Sequence, residues 1–309
     1  MGNVIFFIST GRCGTQWVEA MLASLYEDYA VVRHEPLKAQ YNPKKFFRAY
    51  DKIEELRNVP EIKKHIDYIH NVTTNKSYIE TGWPFFAALP LFYDIFGERL
   101  KLVHLIRHPV EVGLSLVTHH CYFPDRVDQY SRFAMLDPFD AGITQKECAK
   151  RWKRMNPYEK SLFHWTEINL YALELQKRFN EIPVLRVKFE DIFQEKSEKL
   201  KELVAFLGLP FREEVFKFQG RHIDQWHTKT NWVINWKDIF KHPNTVELAG
   251  ELDYNFDIEK IEKMRHRYLI YLSWWDKLEA GVAGFLNKKF SRIYLWLRNI
   301  KHKMKGKEK

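Results

Sequence analysis

Residues 9–17, Ser9-Thr10-Gly11-Arg12-Cys13-Gly14-Thr15-Gln16-Trp17, combine small hydroxyl residues, two glycines and one fixed cation. Glycine lets a loop turn at positive φ, and free backbone N–H groups at a helix start carry a partial positive charge. Such a stretch suits an anion of the size and shape of a phosphate. The cation within it can stabilise charge that builds on a leaving oxygen. Two other groups of residues are candidates to join it. Arg107-His-Pro-Val-Glu-Val-Gly-Leu-Ser115 offers a second guanidinium and a hydroxyl eight residues on, about two turns along a helix at ~3.6 residues per turn. Glu35, with His34 before it, and Glu80 offer groups able to accept a proton.

The flanking patterns say what must position these residues. Val4–Ile8 is a run of β-branched and aromatic residues that predicts a buried strand. After the loop, Val18, Met21, Leu22 and Leu25 recur on one face of a helix. Tyr29–Arg33, Ser77–Glu80, Leu100–Ile106 and Ile182–Val187 read as four further strands. Pro36 pushes Glu35 out of helical geometry and ends the second strand there. Arg107 falls at the end of the fourth, and Pro109 suits the first turn of a helix, where its missing N–H costs nothing. Residues 43–68 and 85–97 read as helical, with Pro60 and Pro90 as interruptions. Thr144-x-x-Glu147 and Asn156-Pro-Tyr-Glu159 are helix-start signatures. Leu162, Trp165, Ile168, Ala172, Leu175 and Phe179 form a core stripe, and Gly208 followed by Pro210 stops a later helix. Strands alternating with helices predict an α/β domain with a central parallel sheet of about five strands.

Spacing then narrows the anion chemistry. A nucleotide triphosphatase loop needs Lys and a hydroxyl residue where Gln16 and Trp17 stand. The dinucleotide G-x-G-x-x-G is absent. A cysteine phosphatase loop built on Cys13 would need Arg in place of Glu19. What remains, a strand followed by Arg12-x-Gly14-Thr15-x-Trp17, resembles the 5′-phosphosulfate loop of the sulfotransferases that use 3′-phosphoadenosine 5′-phosphosulfate (PAPS). The resemblance implies donor contacts for Gly11, Arg12, Cys13, Gly14, Thr15, Gln16 and Trp17, with the Trp against the adenine and Gln16 replacing a common Ser or Thr. The Arg107…Ser115 stretch is similar to the family's 3′-phosphate site, and residues 184–210 look more loosely like its late strand and following helix.

That family has a P-loop-like fold and moves a sulfuryl group in line, without a metal, to a hydroxyl or amine. By resemblance Arg12 acts on the leaving oxygen. The base, in Golgi-type and several bacterial members, is a Glu at the end of the second strand; Glu35 fits that place, with His34 and Glu80 as rivals. A loop closing over the nucleotide is expected within 217–256, with Lys229, Trp236 and Lys237 as candidates. The acceptor class stays open among a glycan, a lipid headgroup and a small hydroxylated metabolite. A P-loop phosphotransferase, or a catalytically silent membrane-associated nucleotide-binding protein of the same fold, is the competing reading.

Composition adds bounds. The net charge of +9 on 309 residues is concentrated in the tail. Residues 260–309 hold fourteen Lys/Arg against four Asp/Glu, a balance of +10, and the remainder holds thirty-five against thirty-six. A sulfotransferase domain over 1–256 and a basic, aromatic-rich helical extension over 257–309 are therefore expected. In the extension Phe285, Phe290, Ile293, Trp296 and Leu297 share one helical side with Lys288, Lys289, Arg292 and Arg298 at its margin, a pattern fit for an anionic membrane surface. A body near neutrality offers nucleic acid no groove, so none is expected as partner. Three cysteines without ligand spacing, and no leader-like stretch before the first strand, predict a cytoplasmic protein, peripheral at most to a membrane. His119-His120-Cys121 finds no further ligands at useful spacing, and no metal is expected.

Overall fold

The computed structural model of the protein describes residues 1–123, 129–220 and 234–268. Lys229 and the tail's aromatic stripe lie outside them. Five strands, β1 (Val4–Ile8), β2 (Ala30–His34), β3 (Ser77–Thr81), β4 (Leu100–Ile106) and β5 (Val184–Lys188), form one sheet in the order β2-β3-β1-β4-β5. Every pairing is parallel. Parallel strands need crossovers, and helices fill them. α1 (Thr15–Leu25) follows β1. α2 (Pro43–Phe46), α3 (Ile53–Arg57) and α4 (Pro60–Val72) lie between β2 and β3, and α5 (Leu89–Phe96) between β3 and β4. α6 (Pro109–Thr118), α7 (Gln129–Phe133) and α8 (Pro157–Arg178) precede β5. α9 (Phe189–Ile192), α10 (Glu198–Phe206), α11 (Glu214–Phe218), α12 (Pro243–Glu251) and α13 (Ile258–Tyr268) follow it.

The central strand β1 is buried along its whole length, which is why its sequence is apolar without alternation. On one face of the sheet Phe6 stacks on Phe92 of α5, Glu80 meets His65 of α4, and His104 meets Asn169 of α8. α1 packs against β2 and β3, and α10 against β5. β1 and β4 are neighbours whose outgoing connections diverge, to β2 on one side and towards β5 on the other. This is a topological switch point, and the loops after the two strands meet there. Register places Ile8 opposite His104, so β4 runs two residues further and delivers Arg107 beside the first loop.

Two helical expectations are corrected. Residues 43–68 are not one broken helix: the chain leaves α2 at Phe47 in extended geometry, and Arg48 takes a φ of 51°. Arg48 turns inward to pair with Glu167 and Glu174, and α4 then starts at Pro60. Thr144 caps no helix either, because its N–H and hydroxyl both donate to the buried Glu167. Asn156 does form the expected capping box with Glu159. The first helix assigned to the extension, α13, is folded onto the body. It lies along α6, with Ile261 and Tyr268 in a second apolar cluster beside Val110, Leu114 and Trp236.

Candidate functional site

The loop after β1 turns through three left-handed residues, Gly11 (φ 74°), Arg12 (φ 58°) and Gly14 (φ 83°). A Cβ at Gly11 would lie 3.1 Å from the Trp83 ring, and one at Gly14 only 2.4 Å from the Phe189 ring. Conformation favours glycine at both positions, and at Gly14 space demands it as well. Gly14 caps α1 without any side-chain bond, and no acidic residue stands in the first turn. No side chain therefore offsets the positive end of α1 at its first turn. Ser9 Oγ accepts from Gly11 N, and Thr10 Oγ1 lies 3.3 Å from Cys13 Sγ, so the loop is braced from within. Cys13 is fully buried, and burial pushes its thiol up to about 11. It fills space within the loop.

The two arginines and the serine converge on this loop. Arg12 Nε donates to Ser115 Oγ at 3.1 Å, from the loop to the flank of α6. Arg107 Nη1 donates to the Arg12 carbonyl at 2.7 Å. Arg107 Nη2 donates to Glu111 Oε1 at 2.6 Å and to Tyr268 Oη at 2.7 Å, and the guanidinium lies 4.0 Å from the Phe189 ring centre. Its Nε is buried with no partner among the described residues. Burial opposes the charge on Arg107, yet the neighbouring Glu111 outweighs it and the pKa is raised. Burial likewise works against the Glu111 carboxylate, and Arg107 more than offsets it, so Glu111 is held below its ordinary value. The turn carrying Arg107 is fixed by Trp165 Nε1, which donates to the Arg107 carbonyl, and by Glu190, which accepts from His108 N.

Other expected residues are placed differently. Thr15 is buried and Gln16 exposed on the first turn of α1. The Trp17 indole is 4% exposed, packed on Phe193 at 4.8 Å and near Phe218 at 5.6 Å. It sits on the buried face of α1 beside Val18 and Met21. Trp236 is buried too, with its indole donating to Glu262; Lys237 lies beside its ring. Among the carboxylates, Glu80 is fully buried on the α4 face, bonded to His65 and to the Tyr78 hydroxyl. Glu35 stands at the C-terminal end of β2, partly exposed, with Tyr130 donating to its Oε2 at 2.8 Å and His34 Nε2 3.6 Å from Oε1. His34 itself is bonded to Thr81 Oγ1. Among the described residues no three His, Cys, Asp or Glu side chains are grouped as a metal would need.

Sequence reasoning missed Glu111, Trp83, Phe189 and Tyr268. Glu111 was within reach, being one helical turn from Arg107. Trp83 closes over Gly11 from the end of β3, and its local sequence carries no sign of that. Tyr268 reaches Arg107 from 161 residues away, which no local pattern signals.

The sequence profile of the family described as "Sulfotransferase domain" matches residues 3–268. No curated protein sequence matches. Among solved structures, the sulfotransferase domain from the curacin biosynthetic pathway is similar at 16% identity and a TM-score of 0.51, over 82% of this chain and 99% of that one. Looser likenesses are to a sulfotransferase from Alicyclobacillus acidocaldarius (14% identity, TM-score 0.47, 85% and 99% covered) and to mouse sulfotransferase SULT7A1 complexed with PAP (15%, 0.41, 85% and 88%).

Proposed function

This chain belongs to the sulfotransferase domain family, and from that premise we propose that it moves the sulfuryl group of PAPS to a hydroxyl or amine, without a metal. The observation that carries the reading is the meeting of the uncapped α1 N-terminus, Arg12 with Ser115, and Arg107 at one switch point of the sheet. The residues present fit such a donor. Gly14 leaves room where a Cβ would collide, and the buried Arg107 Nε is a donor in want of an acceptor among the described residues.

PAPS supplies the sulfuryl group; the chain supplies position and charge. The loop N–H groups and Arg12 hold the phosphosulfate end, and Arg12 is the cation available to charge developing on the leaving oxygen. Arg107 and Ser115 hold the 3′-phosphate. Glu35 takes the acceptor's proton, since it is partly exposed whereas Glu80 is fully buried against His65 and Tyr78. The acceptor is a glycan, a lipid headgroup or a small hydroxylated metabolite. A thermal-shift comparison of 3′,5′-adenosine bisphosphate with ATP–magnesium tests the donor. Stabilisation by the bisphosphate alone is expected; stabilisation by ATP–magnesium alone would favour a phosphotransferase.

A further inference from the structure

Glu35 occupies a backbone conformation that a non-glycine residue seldom adopts, with a φ of 48°. Neighbours hold it there. Its N–H donates to the Thr81 carbonyl at 3.3 Å, which ties the end of β2 to the end of β3. The next residue of that segment is Gly82, where an added Cβ would lie 2.6 Å from Glu35 Cγ. Substitution there would therefore drive the carboxylate away. Tyr130 of α7 donates to Oε2 at 2.8 Å, and the Tyr130 ring itself lies 6.0 Å from that of Trp83, the residue that closes over Gly11. His34 Nε2 approaches Oε1 at 3.6 Å, its ring oriented by Thr81 Oγ1 at 3.2 Å.

Resting on the reading of Glu35 as the base, we infer that Tyr130 and His34 are positioning residues that fix its carboxylate, and that Gly82 provides the space in which it is fixed. Tyr130 thus holds Oε2, and His34 stands on the side of Oε1. The strained φ is consistent with a pose selected for chemistry rather than by local propensity. A hydrogen bond donated to a carboxylate also favours its charged form, so Tyr130 keeps the base ready to accept. The titratable groups facing Glu35 among the described residues are His34 from β2 and Tyr130 from α7; Thr81 and Gly82 bring no charge from β3. A mere latch between α7 and β2 would use the same Tyr130–Glu35 bond, and the test must tell the two apart.

The test follows the Glu35 carboxylate by ¹³C NMR against pH in the full chain, for wild type, Tyr130→Phe and His34→Gln, and records transfer against pH for the same proteins. Loss of the Tyr130 bond should move the Glu35 titration upward by roughly one pH unit. The acid limb of kcat/KM should move with it, while donor affinity stays unchanged. His34→Gln should move both in the same direction, by less. A latch would lower thermal stability in Tyr130→Phe and leave the titration and the acid limb where they were; that result overturns the inference and leaves the sulfotransferase reading intact. A wild-type protein that transfers nothing, with the titration shifted as expected, would instead overturn Glu35 as base and the reading on which the inference rests.

Discussion

Replacing Gly14 by Ala isolates the most constrained point of the anion loop. Two costs add. The left-handed conformation, at φ 83°, penalises any L side chain by about 1–2 kcal/mol. The new methyl would also lie 2.4 Å from the Phe189 ring, which packs on Phe193 and on the Arg107 guanidinium, 4.0 Å from its centre. Such overpacking costs a further ~1–3 kcal/mol. Gly208 provides the control: its φ of 73° is nearly the same, but its nearest would-be neighbour is Asn3 Nδ2 at 3.9 Å, an ordinary contact. Urea denaturation should therefore find Gly14→Ala less stable than Gly208→Ala by ~1–3 kcal/mol, the overpacking term alone. Calorimetry should find 3′,5′-adenosine bisphosphate bound more weakly by Gly14→Ala only, since a displaced Phe189 disturbs Arg107. Phe189→Leu in the Gly14→Ala background should recover part of the difference. Equal losses at positions 14 and 208, with unaltered nucleotide binding, would refute the claim that the loop, Phe189 and Arg107 are one packed unit.

Arg107→Ala should weaken bisphosphate binding by about 1.5–3 kcal/mol, the scale of a charge-assisted contact, whereas Arg12→Ala should lower the maximal rate more than the affinity; calorimetry and turnover on both variants decide it, and undiminished binding in Arg107→Ala would remove the 3′-phosphate assignment. Burial lowers His104 to about 4 and His164 to about 3, from an ordinary value of 6.5. The unfolded chain then takes up protons that the native state refuses, so stability is full above about 6.5 and is lost as pH falls towards 4, by up to ~1.4 kcal/mol per pH unit for each histidine. His104→Gln should flatten that slope in urea titrations, and an unchanged slope would mean the ring is not held neutral. We propose that residues 269–309, with ten Lys/Arg against three Asp/Glu, bind anionic membrane surfaces: the full chain should float with anionic liposomes at low salt and a chain ending after Tyr268 should not, while equal flotation of both would place the affinity elsewhere.

Much of this site is local and therefore legible in the sequence. The strand–loop–helix at the N-terminus shows itself through Val4–Ile8, two glycines and the α1 stripe, because each depends on neighbours in the chain. Arg107 and Ser115 are legible for the same reason, being fixed by a strand end, a proline and helical spacing. What the sequence hides is long-range. Trp17 fits the family pattern, but its ring partners Phe193 and Phe218 are both distant in sequence. Glu80 and Glu35 look alike as carboxylates ending strands; one is buried against His65 and the other reaches Tyr130, a difference set by helices that arrive later. The tail looks separable on charge alone, but Tyr268 returns to Arg107 and Glu111. Breaks in 43–68 follow from Arg48 pairing with α8, a contact no local propensity encodes.

The central claim is sulfuryl transfer, and radiolabelled transfer measures it directly. The purified full chain, supplied with ³⁵S-labelled PAPS and a cell extract but no added metal, should label a discrete product. Glu35→Gln should reduce that labelling by about 10²–10⁴-fold, the weight of a general base, while binding 3′,5′-adenosine bisphosphate as wild type does. Labelling equal in Glu35→Gln and wild type, or no labelled product although the bisphosphate binds, would contradict the account.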